Sequence, residues 1–462
     1  MKIYLENFGP FEKIDLELRK LTIFIGRNSV GKSMLSYLIC ALSSAEPKLD
    51  VVKEGWENFN KISEKVAEQI MNGEISRKDF EDLIKAFYEN VVREAVRIGL
   101  EENFEYTFGT GLREIVKIGK DKAAIEVYGN CAKIKLSLTD KLSIEEFDLC
   151  LENLLKNIEV KVPRKGYLHV KYNKDWKEFR IASSSDIMEP VLDLLAYHII
   201  KEFEGIVLVT PFYTSLLPDS RAGITRTLLK PYIPPSLLAG VLGVDQDYVK
   251  LYFRLSEWLY KNPKILDEIK PMLEELGVTL EARFEYGVYN IYVKTWSGKS
   301  TLIATAPSGI REVLSVILAL MMKEAGGGPS NTLHNIIIEE PEAHLHPRAQ
   351  KVFVRIVAKA VNAGKNVIIT THSDYLISAL NNLILLSRLP EDKCKELGYS
   401  KDEILSSDDV VAYLVKVKDD KAIVERLQIT EDGIPEDEFG KIAEELLEER
   451  GKIYDKVQAS KS

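Results

Sequence analysis

The feature that most constrains this chain is an eight-residue segment, Gly26-Arg27-Asn28-Ser29-Val30-Gly31-Lys32-Ser33. It fits the spacing G-x-x-x-x-G-K-[S/T], with the apolar run 21–25 before it and a helix-forming run after it. Gly26 and Gly31 allow backbone angles that turn amide N–H groups inward, where they bind phosphate oxygens. Lys32 adds a positive charge, and the Ser33 hydroxyl can ligate Mg²⁺. The segment predicts a nucleotide-phosphate site; the alternative is a chance turn between a strand and a helix.

A second predicted strand, residues 336–341, is apolar and ends in two adjacent carboxylates, Glu339 and Glu340. In a parallel sheet this strand end lies beside the phosphate loop. Because neighbouring strand residues point to opposite faces, the two glutamates are expected to differ in role. One would hold Mg²⁺ or its water, and the other would position an attacking water as a general base. Without a phosphate loop in the chain, a solvated turn would be the better interpretation.

Two further segments contain candidate site residues. His372 ends the next apolar strand, where it can reach the terminal phosphate of a bound nucleotide. Ser308 and Gly309 begin a predicted helix, 310–324, whose free N–H groups suit an anion, although Pro307-Ser308 also caps that helix. His344 and His346 have a spacing that suits a metal, but a loop contact or an interface role is the favoured interpretation.

Together these motifs resemble those of the ABC-type ATPases of the structural-maintenance-of-chromosomes, RecF and OLD (overcoming lysogenization defect) branch. Within that branch, the compact OLD-like "AAA family" ATPases are the most similar group. The matching segments are residues 5–11 (first strand), 26–33 (Walker A), 306–311 (signature), 336–347 (Walker B and D-loop) and 372 (switch histidine). Residues 217–223 resemble a segment that follows a middle strand in this group.

The resemblance implies ATP and Mg²⁺ as ligands, with Ser33 and Glu339 at the metal. It implies that Glu340 is the catalytic base, that His372 senses the γ-phosphate, and that the protein is a homodimer with ATP at the interface. Ser308 and Gly309 would then contact the γ-phosphate held by the other subunit. Three features depart from the family pattern: the signature is reduced to Ser-Gly, no glutamine stands as a Q-loop, and no TOPRIM nuclease pattern follows His372.

The order of predicted elements indicates an α/β fold, a P-loop NTPase of the ABC-type head class with a mixed sheet and a large inserted α+β region. The head would comprise residues 1–49 and 205–462, and the insertion residues 50–204. Helices are expected over much of 50–110, from Ser143 and over 186–203, and strands over 113–139, 167–172 and 179–182. Further strands are expected from Ile206 into Pro211, then over 410–417 and 422–429, before a charged helix from Asp437.

The net charge of −9 excludes a wholly basic protein that coats nucleic acid, but not a local basic patch. One candidate patch, residues 161–180, alternates basic and aromatic side chains. Such a mixture can bind phosphates through its cations and bases through stacking on its aromatic rings. A hairpin with a solvated lysine face is the favoured interpretation.

The longest apolar stretch, 313–322, is half of the about 20 residues that a membrane span needs. The four cysteines lie far apart, and a reducing cytoplasm is the expected location.

Two functional hypotheses remain. In the first, an ATP-driven dimerising switch acts with DNA in repair or anti-phage defence. In the second, a regulatory ATPase module docks a separate effector protein through residues 50–204 and makes no direct nucleic-acid contact. A transporter ATPase would need a conventional signature and a Q-loop, and a small-molecule phosphotransferase would not explain Ser308, Gly309 or His372.

Overall fold

A computed structural model describes residues 1–52, 56–172, 175–202, 214–227, 243–285, 287–322, 335–419 and 421–459. The strands are β1 (Lys2–Phe8), β2 (Phe11–Glu17), β3 (Leu21–Ile25), β4 (Ala123–Tyr128), β5 (Lys133–Leu138), β6 (Leu142–Asp148), β7 (Glu159–Arg164), β8 (Tyr167–Tyr172), β9 (Asp175–Arg180), β10 (Thr214–Leu217), β11 (Val278–Glu285), β12 (Val288–Thr295), β13 (Ser300–Leu302), β14 (Asn335–Glu339), β15 (Asn366–Thr371), β16 (Val410–Lys418) and β17 (Lys421–Leu427).

The helices are α1 (Lys32–Ser43), α2 (Trp56–Asn72), α3 (Arg77–Phe87), α4 (Arg93–Phe108), α5 (Leu112–Ile115), α6 (Leu151–Lys156), α7 (Met188–Glu202), α8 (Arg221–Thr227), α9 (Gly243–Lys261), α10 (Ile265–Glu268), α11 (Lys270–Glu275), α12 (Ser308–Met321), α13 (Pro347–Asn362), α14 (Asp374–Leu385), α15 (Glu391–Glu396) and α16 (Asp437–Ala459). A π-helical turn, Tyr88–Val92, joins α3 to α4. Among the described helices, none combines the length and apolar character that crossing a membrane requires.

The largest sheet has eleven strands in the order β10-β14-β15-β3-β16-β17-β2-β1-β4-β5-β6. The first five of these run parallel, and β16 then turns into antiparallel β17. Beyond β2 the strands are antiparallel to their neighbours. Parallel strands need crossover connections, so helices cover both faces of that half. This mixed sheet, flanked by helices, confirms the predicted α/β class.

Strand β3 lies in the middle of the parallel half and is buried on both faces. Phe24 packs into one hydrophobic cluster with α1 and α4, whereas Ile23 and Ile25 pack into a second cluster with α12, α13 and α14. A strand with neighbours on both faces needs apolar residues at every position, which explains the continuous apolar run that precedes the phosphate loop. The residues after β3 are therefore held by packing on two sides.

The region 50–204 is joined to the rest of the chain through the same sheet. Its strands β4, β5 and β6 continue the sheet from β1, with Ile3 of β1 opposite Val127 of β4. Helices α2, α3 and α4 contribute to the cluster that covers β1 and β2. A separate three-stranded sheet, β7-β8-β9, completes the region. Its treatment as a separate domain stays a prediction.

Two predicted elements are wrong. Residues 113–115, where the predicted strands were expected to begin, lie in the short helix α5 (Leu112–Ile115). The helix expected from Ser143 is strand β6, in which Leu142 and Ile144 are buried while Ser143 and Glu145 are exposed. The Ser-x-x-Glu spacing matched a helix cap, but the two-residue alternation decides the outcome because β5 offers a partner strand. Strand β9 also begins four residues before the expected start at Phe179. The strand expected from Ile206 into Pro211 lies outside the described residues.

The cysteines give a second difference from the sequence expectation. Cys131, in the turn before β5, forms a disulfide with Cys150, which precedes α6, and their Cα atoms lie 6.0 Å apart. Their sequence separation of 19 gave no signal of pairing. The buried Glu202 at the end of α7 accepts a hydrogen bond from the Cys131 backbone N–H at 3.1 Å. Cys40 and Cys394 are buried free thiols.

Candidate functional site

The phosphate-loop segment, residues 26–33, joins β3 to α1 at the carboxyl edge of the parallel strands. A Cβ atom on Gly26 would lie 2.2 Å from the Val415 carbonyl oxygen of β16, so only glycine fits there. Gly31 has φ 103°, and a Cβ on it would lie 2.7 Å from the Phe11 ring. Both glycines of the motif are thus required by close approach, and Gly31 also by its backbone angle.

The middle of the loop is open to solvent. Arg27, Asn28 and Ser29 are exposed, whereas Val30 is buried in the core beneath them. Ser29 has a left-handed backbone, with φ 63°. The apolar anchor at Val30 holds the loop against the sheet. Its exposed backbone is left available to a ligand.

Helix α1 begins at Lys32 without a side-chain cap on its N-terminal amides. Its free N–H groups and dipole favour an anion at this end. The buried Lys32 ammonium group donates hydrogen bonds to the carbonyl oxygens of Gly26 (2.8 Å) and Arg27 (2.7 Å). Burial lowers the pKa of Lys32, and the carboxylates of Glu340, Glu342 and Glu339 oppose that shift. A cation and a helix N-terminus therefore converge on one side of the loop.

Glu339, the last residue of β14, is 1% exposed, and among the described residues neither of its carboxylate oxygens has a partner in good hydrogen-bonding geometry. Burial raises the pKa of Glu339 to about 7, and the nearby Ser33 hydroxyl and Arg221 partly oppose that rise. A buried carboxylate without a partner is costly unless a cation compensates it. Carboxylate and hydroxyl oxygens are the ligands that Mg²⁺ prefers. Ser33 and Glu339 therefore fit the predicted metal site.

Glu340 lies just beyond the strand with a left-handed backbone, φ 42°. Its N–H group donates to the Thr370 carbonyl oxygen at 2.9 Å, which ties the turn to β15. The left-handed angle breaks the strand's alternation, so the Glu340 carboxylate also reaches the phosphate loop. Its Oε1 lies 4.0 Å from Lys32 Nζ and 3.4 Å from His372 Nδ1. The side chain is partly exposed.

His372, which follows β15, is held by a residue that the sequence analysis did not single out. Glu342 Oε1 accepts hydrogen bonds from the Thr371 hydroxyl (2.6 Å) and the His372 N–H (2.8 Å), and lies 3.5 Å from His372 Nδ1. Glu342 is buried, while the His372 ring is half exposed. Its carboxylate thus fixes the backbone and approaches the ring of the histidine. The sequence signal was the third glutamate of Glu-Glu-Pro-Glu.

Arg221, at the start of α8, is the largest fully buried side chain among the described residues and was also not predicted as a site residue. Its guanidinium donates to the carbonyl oxygens of Leu217 (3.1 Å), Pro218 (2.6 Å), Glu339 (2.6 Å) and Glu340 (3.2 Å). Its Nε lies 3.2 Å from Glu312 of α12. Burial raises the pKa of Glu312, and Arg221 opposes that rise. One cation therefore joins three segments of the chain beneath the two site glutamates.

Ser308 and Gly309 begin α12, which lacks a side-chain cap at its N-terminus. A Cβ on Gly309 would lie 2.5 Å from the His344 carbonyl oxygen, so α12 packs closely on the segment that follows the acidic pair. In the part of the chain that the structure describes, no hydrogen bond or ion pair joins either residue to the phosphate loop. The predicted contact with a phosphate is therefore not made to this chain's own loop in this arrangement.

The two histidines after the acidic pair have local roles. His346 caps α13, its Nδ1 accepting from the Arg348 N–H at 3.3 Å. His344 has a left-handed backbone, φ 59°. Within the described ranges, neither belongs to a group of three residues that can hold a metal. These positions agree with the favoured interpretation as loop contacts.

Three of the six described lysines and arginines of the 161–180 patch have acidic partners. Lys171 pairs with Glu159, Arg164 with Glu178 and Lys177 with Asp193. Lys161 lies 4.0 Å above the Trp176 ring, and Arg164 lies 3.7 Å from the centre of the Tyr167 ring. Lys174 lies outside the described residues. This pairing agrees with the interpretation of a solvated hairpin face.

The sequence of this chain matches a known protein family. Residues 1–202 and 250–377 match the family described as "AAA ATPase domain". No curated protein matches the chain. The fold that these residues share with that family confirms the predicted P-loop NTPase class.

Solved structures similar to this chain include three heads of SMC proteins. A crystal structure titled as the SMC head bound to the C-winged-helix domain of ScpA has 13% identity and a TM-score of 0.40, covering 93% of this chain and 97% of that one. The Pyrococcus furiosus SMC head with an extended coiled coil, bound to the C-terminal domain of ScpA, has 12% identity and a TM-score of 0.39, covering 96% and 98%. The Thermotoga maritima SMC head domain has 12% identity and a TM-score of 0.34, covering 93% and 98%.

The buried ion pair between Arg221 and Glu312 gives a stability prediction. We expect Arg221→Met to lower the free energy of unfolding by about 3–5 kcal/mol, because Glu312 would be left buried without a counter-charge. The double variant Arg221→Met/Glu312→Leu should recover the part of that loss that comes from the uncompensated Glu312 charge, while the four carbonyl oxygens still lack their donor. Urea denaturation of the two single variants and the double variant measures the coupling. Additive losses in the double variant would contradict it, and Lys270→Met, at an exposed pair, serves as a control.

Proposed function

Because this chain belongs to the AAA ATPase domain family, we propose that it binds ATP and Mg²⁺ at residues 26–33 and hydrolyses the ATP between two copies of itself. The observation that carries this proposal is that the Glu340 carboxylate lies 4.0 Å from Lys32 Nζ and 3.4 Å from His372 Nδ1, next to the buried carboxylate of Glu339. A cation, a metal ligand and an acid–base pair in one place suit phosphoryl transfer to water.

Different residues of the chain have different roles in the proposed reaction. The loop amides and the N-terminus of α1 bind the phosphates. Lys32 releases the carbonyl oxygens of Gly26 and Arg27 and binds the β- and γ-phosphate oxygens. When bound, Mg²⁺ neutralises developing charge on those oxygens, and Ser33 and Glu339 are the residues that would hold it.

Glu340 is the proposed general base, which orients a water and accepts its proton at a carboxylate oxygen. Its partly exposed side chain lies at the open side of the site, and Thr370 fixes its backbone. His372 lies between Glu340 and Glu342 and would donate a hydrogen bond to the γ-phosphate. Glu342 is the proposed positioning residue, because it binds the histidine's backbone rather than any ligand.

The proposed dimer follows from the position of α12. Ser308 and Gly309 present free helix N-terminal amides but contact no residue of their own phosphate loop in the described part of the chain. A second copy in the opposite orientation would bring its α12 to the γ-phosphate and complete the site. ATP would then hold two copies together, and hydrolysis would release them.

We propose that this switch serves a DNA-linked repair or anti-phage defence process. The alternative is a regulatory module that docks an effector protein through residues 50–204. The ion pairs at Lys171, Arg164 and Lys177 favour the alternative, because cations already paired with carboxylates bind phosphates less strongly. Hydrolysis by the purified protein with and without duplex or single-stranded DNA separates the two. Stimulation by DNA supports the first process, and indifference to DNA supports the effector module.

A first prediction concerns Lys32. We expect Lys32→Ala to abolish hydrolysis and weaken ATP binding at least about tenfold, because it removes the only lysine inside the phosphate loop. Titration with a fluorescent ATP analogue measures binding, and phosphate release measures turnover. Lys20→Ala, at an exposed lysine paired with Asp409, is the matched control and should behave as wild type. Unchanged ATP binding in Lys32→Ala would contradict the assigned site.

A second prediction concerns Glu340. Replacement by glutamine keeps the side-chain shape but removes the base, so turnover should fall about 100-fold or more while ATP binding persists. Glu340→Gln should therefore retain ATP through gel filtration in closed dimers. Adding Ser308→Arg, which blocks the α12 N-terminus, should abolish that retention. A Glu340→Gln protein that loses ATP as rapidly as wild type, or that is insensitive to Ser308→Arg, would refute the shared site.

A third prediction concerns Glu342. Glu342→Ala should lower kcat by roughly 10- to 100-fold with little change in KM, because His372 loses its orientation while the phosphate loop is intact. Glu342→Gln keeps an acceptor for the Thr371 hydroxyl and the His372 N–H and should recover most of kcat. Steady-state kinetics of both variants test this. Equal losses in kcat for the two variants would assign Glu342 a charge-dependent role instead.

A further inference from the structure

Helix α16 ends the described chain and exposes an apolar stripe. Leu446 (59% exposed), Leu447 (64%), Ile453 (56%) and Tyr454 (65%) form two pairs with a seven-residue spacing. Seven residues make almost two helical turns, so the four side chains share one face. Large apolar side chains grouped on one helix face normally mark a surface that another molecule covers.

The charges of α16 are divided along its length. Four glutamates, Glu444, Glu445, Glu448 and Glu449, occupy the turn and a half around Leu446 and Leu447. Three cations, Arg450, Lys452 and Lys456, occupy the turns around Ile453 and Tyr454, with Asp455 the single exception. At the junction Glu448 lies 3.9 Å from Lys452, and both side chains are exposed. The acidic half thus precedes the basic half.

The charge distribution of α16 is complementary to that of a second copy of the helix in antiparallel orientation. A parallel copy of α16 would place glutamates beside glutamates, which repel each other. An antiparallel copy places the acidic half of each helix beside the basic half of the other, while the apolar stripes face each other. An arrangement in which the same surface meets itself is the usual form of a two-fold dimer.

We propose that α16 pairs in antiparallel fashion with α16 of a second copy, forming a dimer that needs no nucleotide. The occupant is a second copy because the charge pattern of the helix complements its own reverse. The helix is about 35 Å long, and the contact covers its described middle, residues 444–456. This contact lies outside the ATP site and goes beyond the dimer proposed there. It would keep two heads at a high local concentration between hydrolysis cycles.

Light scattering on the full chain, at tens of micromolar and with EDTA in place of nucleotide, tests the pairing. Wild type should be a dimer that dissociates on dilution, and Leu446→Glu/Ile453→Glu should raise the dissociation constant about tenfold or more. Leu389→Glu/Leu397→Glu, at two exposed leucines outside α16, is the matched control and should remain dimeric. A monomeric wild type, or a dimeric Leu446→Glu/Ile453→Glu variant, would overturn the proposal.

Charge exchange tests the electrostatic part. One variant changes the four glutamates at 444, 445, 448 and 449 to lysine, and a second changes Arg450, Lys452 and Lys456 to glutamate. Each variant alone should be monomeric, because all charges of its helix then have one dominant sign, and an equimolar mixture should form dimers. A mixture that stays monomeric, with both proteins folded by circular dichroism, would refute pairing between copies.

A single cysteine tests the orientation. In the antiparallel arrangement Gln458 of the two copies lies at opposite ends of the contact, so Gln458→Cys should give no more disulfide-linked dimer than wild type. Efficient cross-linking would show a parallel pair and overturn the antiparallel arrangement. Nucleotide retention by Glu340→Gln is then measured in the Leu446→Glu/Ile453→Glu background. If nucleotide retention persists in that background, the ATP-dependent dimer does not depend on the α16 dimer.

Discussion

The hydrogen bonds that pair β3 with β15, and β15 with β14, set the positions of the phosphate loop, His372 and the two site glutamates. These three strands run parallel, so the phosphate loop, His372 and the two site glutamates follow strand ends at one edge of the sheet. In the register of these strands, Thr371 of β15 lies opposite Ile25 of β3, and Thr370 of β15 lies opposite Glu339 of β14. A one-residue slip would move each buried side chain to the other face, and burial on both faces prevents it.

Beneath that edge, polar groups that water cannot reach add a second constraint. Arg221 satisfies four carbonyl oxygens and faces Glu312, so the turn after β10, the acidic pair and α12 are connected through one side chain. Buried ion pairs of this kind contribute little net stability but penalise arrangements in which one partner is displaced. The position of α12 relative to the acidic pair is therefore well defined, although α12 makes no contact with its own phosphate loop among the described residues.

Much of this arrangement was predictable from the sequence, for identifiable reasons. The strand 21–25, the loop and α1 follow from an apolar run and a fixed glycine spacing, and β14 and β15 from their apolar runs. Glu342 and Arg221 were missed because their importance depends on partners far away in sequence, the Thr371 hydroxyl and Glu312. The helix expected at Ser143 failed because a local cap signal competes with a partner strand, β5, that only the folded chain provides. The positive φ of Glu340, which brings both carboxylates to one side, has no sequence signal either.

The resting contacts of Lys32 have a thermodynamic consequence. Its ammonium group already binds two loop carbonyl oxygens, so an incoming phosphate replaces ligands rather than meeting a bare charge. The free energy available for association is the difference between charge-assisted bonds to phosphate and bonds to neutral carbonyls. These two carbonyl oxygens hold the lysine in place and avoid an unpaired buried cation when no phosphate is bound. In the proposed site, breaking these bonds would lower the net affinity for every nucleotide that binds there.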